Sequence, residues 1–333
     1  MDRIHLTYLN GPDIEALAMT DREILDAVEG GVRDAGRGQT VLEPRVHLIP
    51  EPESNGHFNV LRGYIATQNV AGVKIVSDFL DNYQQGLPSE MALLNLFDPR
   101  TGVPVAVIDA TAITEMRTGA MTAVGAKYLA PPNPRILGHI GARGTAYWNV
   151  RLLDHLFHFD EIRVHSRRRE SRNAFADTLA RDLGRPVTVT GNWQECLEDA
   201  DIMVEASRLP EPAPLFKTRW IKKGALVVPY GTMSALETDH TDAMDKIVVD
   251  DRGQMNSGPF GALRPHINAG KVSPETVHAE IGEIVAGSLP GRETGDETIL
   301  FWHRGLATSD IALGMAMLDK AARLGYGQTL RYA

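Results

Sequence analysis

The segment from Pro134 to Arg169, PRILGHIGARGTAYWNVRLLDHLFHFDEIRVHSRRR, restricts the fold more than any other part of the chain. An apolar run, Ile136 to Ile140, leads into a turn bearing Gly141 and Gly144, then a helical stretch, then a second β-branched run, Ile162 to His165. That succession predicts a βαβ unit of the nucleotide-binding kind. Glycine lets the chain leave a strand sharply, and the helix that follows offers unpaired N–H groups and a positive dipole end to a pyrophosphate. The usual G-x-G-x-x-G/A pattern is met only in part. Gly141 takes the first position and Ala146 the last, but Arg143 stands where the second glycine belongs, and Gly144 comes one place later. The arginine either obstructs a pyrophosphate or bonds to it, and an ordinary strand-to-helix turn is the alternative for the whole segment. Gly141, Ala142, Arg143, Gly144 and Thr145 are the candidate cofactor contacts here.

The end of the second run adds a cofactor preference. An NAD site often carries an acid there for the ribose 2′-OH, whereas this strand runs into Ser166, Arg167, Arg168 and Arg169, with no acid before Glu170. A hydroxyl and guanidinium groups suit a 2′-phosphate, so NADP(H) is expected in preference to NAD(H), with Ser166, Arg167 and Arg168 as contacts. A solvated charged turn is the alternative.

The 333 residues are enough for two lobes, and 43% hydrophobic with 23% charged residues is the balance of a soluble globular protein. No apolar run is long enough to span a bilayer, the N-terminus lacks a signal-peptide pattern, and a cytoplasmic location is the default. A net charge of -9 argues against nucleic acid as the main partner. The single Cys196, in WQECLEDAD, is expected to be a half-buried packing residue without electropositive activation. His155 and His158 lie three apart on a helix, but nothing completes a metal-ligand set, so no metal is expected.

Before the proline break, IHLTYL predicts a strand and IEALAMTDREILDAVEGGVRDAGRG helices, with Thr20 and Glu23 as a capping box. VLEPRVHLIP, FNVLRGYIAT, VAGVKIVSDF and MALLNLFDPRTGVPVAVID predict a mostly antiparallel sheet, with breaks at Pro50 to Gly56 and Gln68 to Gly72. RTGAMTAVGAKYLA is a helix ended by APPNP, Ala130 to Pro134, where a domain boundary is expected. Beyond it, a helix around Ala174 to Leu183 and strands in VTVTG, ADIMVEAS, WIKKGALVVPYG and KIVVDD predict a parallel, doubly wound sheet. Helices are expected from Pro274 to Gly287 and from Gly305 to Leu324.

The chain resembles the ornithine cyclodeaminase and mu-crystallin family over nearly its whole length. PRVHL, GVKIVS, GLPSEMALLNLFDPRTGVPVAVID, ITEMRTGAMTAVGAKYLA, ADIMVEAS, VVDD, PGRETGDETILF and GLATSDIALGMAMLDKAARLGYG carry the likeness. It implies an α/β fold in which a Rossmann doubly wound parallel sheet (131–305) is inserted into a discontinuous α+β substrate-binding and dimerisation domain (1–130 plus 306–333). It also implies a nicotinamide-dependent homodimer, cofactor contacts from Ser207 and Gly231 at strand ends, and a substrate carboxylate surrounded by Arg45, Lys74 and Arg117. The charges agree: clustered cations are costly when empty and are offset by an α-carboxylate, and a desolvated Lys74 can exchange a proton. Pairing with a nearby acid, such as Glu43, Asp78 or Glu115, is the alternative. His303, beside GLA, is a further candidate for lining the substrate region.

One departure bears on the reaction. Where cyclodeaminases carry an aspartate after the fifth strand, YGTMSALETD places Met233. Ornithine cyclisation needs a group there to move protons, and only Glu205, Glu237 or Asp239 stand ready to substitute. The favoured expectation is therefore hydride transfer at the α-carbon of a small amino acid, its imine or an oxo acid with ammonia, as in an imine reductase or amino-acid dehydrogenase. Deaminating cyclisation is the second reading, and a catalytically silent protein that binds NADPH and a small ligand is the third.

Overall fold

The computed structural model describes residues 4–50 and 55–333. The chain is an α/β protein that divides into two units: residues 1–117, 256–258 and 305–333 form the first, and 118–255 and 259–304 the second. Part of the expected break between Pro50 and Gly56 lies outside the described residues.

The first unit opens with β1 (His5–Leu9), α1 (Gly11–Ala16) and α2 (Asp21–Gly36). The Thr20 hydroxyl accepts from the Glu23 amide, and the Glu23 carboxylate accepts from the Thr20 amide, so the capping box forms as the sequence predicts. VLEPRVHLIP is broken into β2 (Thr40–Leu42) and β3 (Val46–Leu48), followed by β4 (Gly56–Ile65), β5 (Val70–Phe79), β6 (Glu90–Phe97) and β7 (Pro104–Asp109). Helix α3 (Thr111–Leu129) comes next, and the division between the units falls inside it, between Arg117 and Thr118, rather than at the prolines that end it.

The second unit contains β8 (Ile136–Ile140), α4 (Ala146–Phe157), β9 (Glu161–His165), α5 (Arg169–Leu183), β10 (Thr188–Val189), α6 (Trp193–Leu197), β11 (Ile202–Glu205), β12 (Leu226–Pro229), β13 (Lys246–Val249), α7 (Arg264–Asn268), β14 (Ala279–Glu280), α8 (Ile281–Val285) and β15 (Ile299–Trp302). Its strands are all parallel, in the order β10-β9-β8-β11-β12-β15-β13-β14. The chain runs outward from β8 in one direction and from β11 in the other, so the topological switch point lies between them. Pro274 to Gly287, expected to be helical, instead contributes β14 and only the short α8. Strand β15, which the sequence reading did not assign, slots between β12 and β13 because ILFW is apolar throughout and fully buried. VTVTG yields only two strand residues, and α5 starts five residues before Ala174.

Helix α9 (Ala307–Leu324) and β16 (Gln328–Arg331) return to the first unit. Its sheet has the order β16-β1-β7-β6-β5-β4-β2, with β3 also on β4; every pair is antiparallel except β1 with β7. Helix α9 lies close on this sheet because residues at the contact have no side chain. A Cβ on Gly72 would fall 2.6 Å from Ile311, and one on Gly314 would fall 2.4 Å from Leu94.

Candidate active site

That close approach creates a charge cluster in the first unit. Lys74 is two residues beyond Gly72 on the same face of β5, and Asp310 precedes Ile311 on α9. The Asp310 carboxylate therefore meets Lys74: Nζ donates to Oδ1 at 2.5 Å, with both side chains fully buried. Nε of Arg117, on α3, donates to the same oxygen at 2.9 Å. Thr114, one turn before Arg117, accepts a third bond from Lys74 Nζ at 3.2 Å. Oδ2 of Asp310 has no hydrogen-bond partner. Two buried cations thus share one carboxylate. Burial, and next the neighbouring Arg117, pull Lys74 down to about 8 against the attraction of Asp310.

Arg45 joins this arrangement through the loop before α9. Its Nη2 donates to the Gly305 carbonyl at 3.0 Å, and Gly305 lies so close to Arg117 that a Cβ there would be 1.9 Å from Nη1. With φ at +94°, position 305 holds a backbone that only glycine adopts readily while fixing two arginines at once. Lys74 and Arg117 are therefore joined by a carboxylate none of the sequence alternatives named, and Arg45 reaches them through the Gly305 carbonyl. Glu43 pairs with Arg62 instead.

In the second unit the expected cofactor residues gather at one edge. Gly141 to Thr145 follow β8, Ser166 to Arg168 follow β9, Ser207 follows β11 and Gly231 follows β12, so all lie at the carboxyl ends of neighbouring parallel strands. The Gly141 amide donates to the His165 carbonyl at 2.9 Å, tying the glycine turn to the end of β9. Gly141 has φ +113°, and a Cβ there would come within 2.7 Å of the Ala206 carbonyl. Arg143, Gly144, Arg167 and Arg168 are exposed, whereas Ala142 and Ser166 are half-buried. No side chain caps α4, because the Thr145 hydroxyl is engaged elsewhere, at 2.7 Å from the Tyr230 phenol. Asn149 Nδ2 donates to the same phenol at 2.8 Å, and the Tyr230 ring stacks on His303, whose Nε2 is 2.9 Å from the Thr122 hydroxyl. A twelve-residue helix without a side-chain cap, entered through a positive-φ glycine at the switch point, fits a dinucleotide pyrophosphate.

The remaining candidates separate clearly. Met233 is half-buried and carries no proton. Glu237 accepts from the Thr218 amide and Asp239 from the Thr218 hydroxyl, at 2.8 and 2.5 Å, so both are spent on one local turn. Glu205 is fully buried at the end of β11. Cys196 is not half-buried, as expected, but fully buried, and burial pushes its thiol up to about 12. Asp310, Gly305, Tyr230 and Asn149 were missed. A lone acid in the small and apolar stretch TSDIALGMAM was the available signal for Asp310. Among the described residues no group of acids, histidines or cysteine is arranged to hold a metal ion, and no helix is long and apolar enough to cross a membrane.

A parallel α/β unit with a helix-start anion site, in one chain with an antiparallel unit bearing a buried cation cluster, defines the class. The chain belongs to the ornithine cyclodeaminase/mu-crystallin family, whose sequence pattern residues 8–324 match. It is 30% identical over 328 residues to the alanine dehydrogenase of Archaeoglobus fulgidus, covering 97% of this chain and 98% of that one. The fold is similar to Thermococcus litoralis Δ1-pyrroline-2-carboxylate reductase in complex with NADH and L-proline, with TM-score 0.91 and 28% identity over 98% of this chain and 100% of the other. It is also similar to an archaeal alanine dehydrogenase dimer with bound NAD, with TM-score 0.90 and 29% identity over 99% and 100%.

Proposed function

We propose that this protein is a nicotinamide-nucleotide-dependent oxidoreductase that transfers hydride at the α-carbon of a small amino acid or its imine. The observation that carries this reading is the concentration of buried cationic charge: Lys74 and Arg117 both bond to Asp310 Oδ1, and Arg45 is held beside them. An α-carboxylate supplies negative charge and charge-assisted hydrogen bonds. Arg117 has its Nε taken by Asp310, which leaves its two terminal nitrogens for the substrate. Lys74, drawn down to about 8, holds or releases a proton near neutral pH beside the reacting nitrogen.

When bound, the dinucleotide supplies or accepts the hydride. Gly141 to Thr145, Ser207 and Gly231 would hold its pyrophosphate and neighbouring groups, and Ser166, Arg167 and Arg168 a 2′-phosphate, so NADP(H) is preferred and NAD(H) accepted. The functional lobes are taken as 1–130 plus 306–333 and 131–305, with the proline break as their boundary in sequence. Cyclisation is disfavoured because Met233 replaces a proton-carrying group and Glu237 and Asp239 are bound to Thr218.

The protein is proposed to work as a homodimer built on the outer face of the antiparallel sheet. Val46, Val60, Ile75 and Leu93 stand side by side across four strands, and Val46, Ile75 and Leu93 are exposed at 50%, 40% and 49%. A continuous apolar row of that kind needs a cover, and a second copy supplies a self-complementary one.

The test is nicotinamide absorbance with NADPH and NADH in parallel, against cyclic imines and 2-oxo acids with ammonia or methylamine, and against L-amino acids in reverse. Cofactor consumption with an imine or oxo acid is expected. Silence across the panel sinks the reading; ammonia release from ornithine would then indicate cyclodeamination, and tight dinucleotide binding without turnover a binding protein.

A further inference from the structure

Glu205 has no role in the chemistry above, and its surroundings are unusual for a carboxyl group. It ends β11, one side of the switch point, and has no exposed surface. Oε1 accepts from the Ser207 amide at 2.7 Å and from the Ser207 hydroxyl. Oε2 has no hydrogen-bond partner: it abuts Gly231, where a Cβ would lie 2.6 Å from it, while the Gly231 amide donates to the Glu205 carbonyl at 3.1 Å. The next residue, Ala206, is the one pressed against Gly141.

The donors that reach this carboxyl from Ser207, an amide and a hydroxyl, are both neutral. Its register partners are Ile140 on β8 and Pro229 on β12. Around it, Ser207, Gly231 and the backbone of Ala206 complete the contacts. On the strand ends beside it the titratable groups are the Tyr230 phenol, engaged with Thr145 and Asn149, and His139, whose Nδ1 faces the Gly141 carbonyl. Arg208 is exposed. Burial accordingly raises Glu205 to about 7, which its bonds from Ser207 and the nearby Gly231 amide only partly oppose.

We propose that Glu205 is a proton-linked positioning residue of the cofactor site: as a carboxylic acid it fixes Ser207 and Gly231, and an anionic dinucleotide binds with the proton retained. The inference rests on the oxidoreductase reading for the identity of the ligand. A pyrophosphate seated at the start of α4 brings negative charge to the same strand ends, and in a buried setting this repels an ionised carboxylate. Binding therefore favours the protonated form, and affinity is highest below pH 7 and falls as pH rises through it.

NADH is the probe, because it lacks a 2′-phosphate that would itself titrate. Its dissociation constant, read from nicotinamide fluorescence, should rise by about tenfold between pH 6 and 8.5. Calorimetry at pH 7.5 in buffers of different ionisation enthalpy should register proton uptake on binding. Glu205→Gln keeps the acceptor toward Ser207 and cannot ionise, so it should bind NADH with the low-pH affinity throughout and without proton uptake. A wild-type protein that binds NADH with flat affinity and no proton uptake overturns this inference alone. So does a Glu205→Gln variant, folded by its thermal melt, that keeps the wild-type pH dependence. Failure of the wild type to bind either NADH or NADPH overturns this inference and the oxidoreductase reading together.

Discussion

In the antiparallel unit two buried cations crowd one carboxylate, whereas in the parallel unit a buried carboxyl is met by the neutral donors of Ser207. Both arrangements are expensive without a ligand, but they differ in how the protein can relieve the cost. Glu205 sheds its charge by taking a proton near neutral pH. Lys74, drawn down to about 8, can release its proton, but Arg117 cannot, so that side of the molecule keeps a positive charge that Asp310 must balance. Under the proposed function, the first unit meets a negatively charged ligand with the permanent charge of Arg117 beside a titratable Lys74, and the second with a carboxyl whose charge can be switched off.

The contrast breaks if the two carboxyl groups respond alike to neutralisation. Asp310→Asn leaves Lys74 and Arg117 buried without a counter-charge and should destabilise the protein by about 3–5 kcal/mol. Glu205→Gln, which replaces a group already near neutral, should cost less than about 1 kcal/mol. Urea unfolding of the two variants decides it, and equal losses would refute the distinction. Next in size, Arg117→Ala should raise KM for the carboxylate substrate roughly 10- to 100-fold by removing charge-assisted bonds, with dinucleotide affinity unchanged. Parallel changes in both constants would mean that Arg117 serves the fold and not the substrate.

The smallest effect is a pH slope. Burial depresses His139 and His240 in the second unit to about 4, so the unfolded chain takes up protons first as pH falls below 6.5. Each histidine then removes about 1.4 kcal/mol of stability per pH unit between 6.5 and 4. Glu205 works the other way: raised above its ordinary value, it contributes stability that is complete below about 4.5 and lost as pH climbs through 7. Between pH 4.5 and 6.5 it opposes the histidines. Glu205→Gln should therefore steepen the acid loss by about 1.4 kcal/mol per pH unit, measurable as unfolding free energy against pH. An unchanged slope would remove the evidence that Glu205 is protonated in the folded state.

Much of this was legible in the sequence because the signals are local. The Thr20–Glu23 capping box, the alternation in β4 to β6 and the glycine turn after β8 each concern residues within a few positions of one another. The three cations were also visible, through family motifs. What could not be read was the partner of Lys74 and Arg117: Asp310 is 236 positions from Lys74, and the approach of α9 onto Gly72 and Gly314 brings it there. Burial alone distinguishes Glu205 from Glu237 and Asp239, and burial at the end of a strand depends on the strands beside it. Strand β15 escaped for a similar reason. Four apolar residues carry no period, and their place between β12 and β13 is a property of the sheet.

The alternation along β5 has a consequence for quality control during synthesis. Lys74 faces α9 and Ile75 faces outward, so the proposed substrate site and the proposed pairing surface occupy adjacent residues on opposite sides of one strand. A slip of one residue in the pairing of β5 would exchange them, thrusting an isoleucine at Asp310 and a lysine into the apolar row. Such a molecule could neither pair nor bind its substrate, so mis-registered chains would remain unpaired and exposed to proteolysis, and the assembled population would be enriched in chains with the correct site.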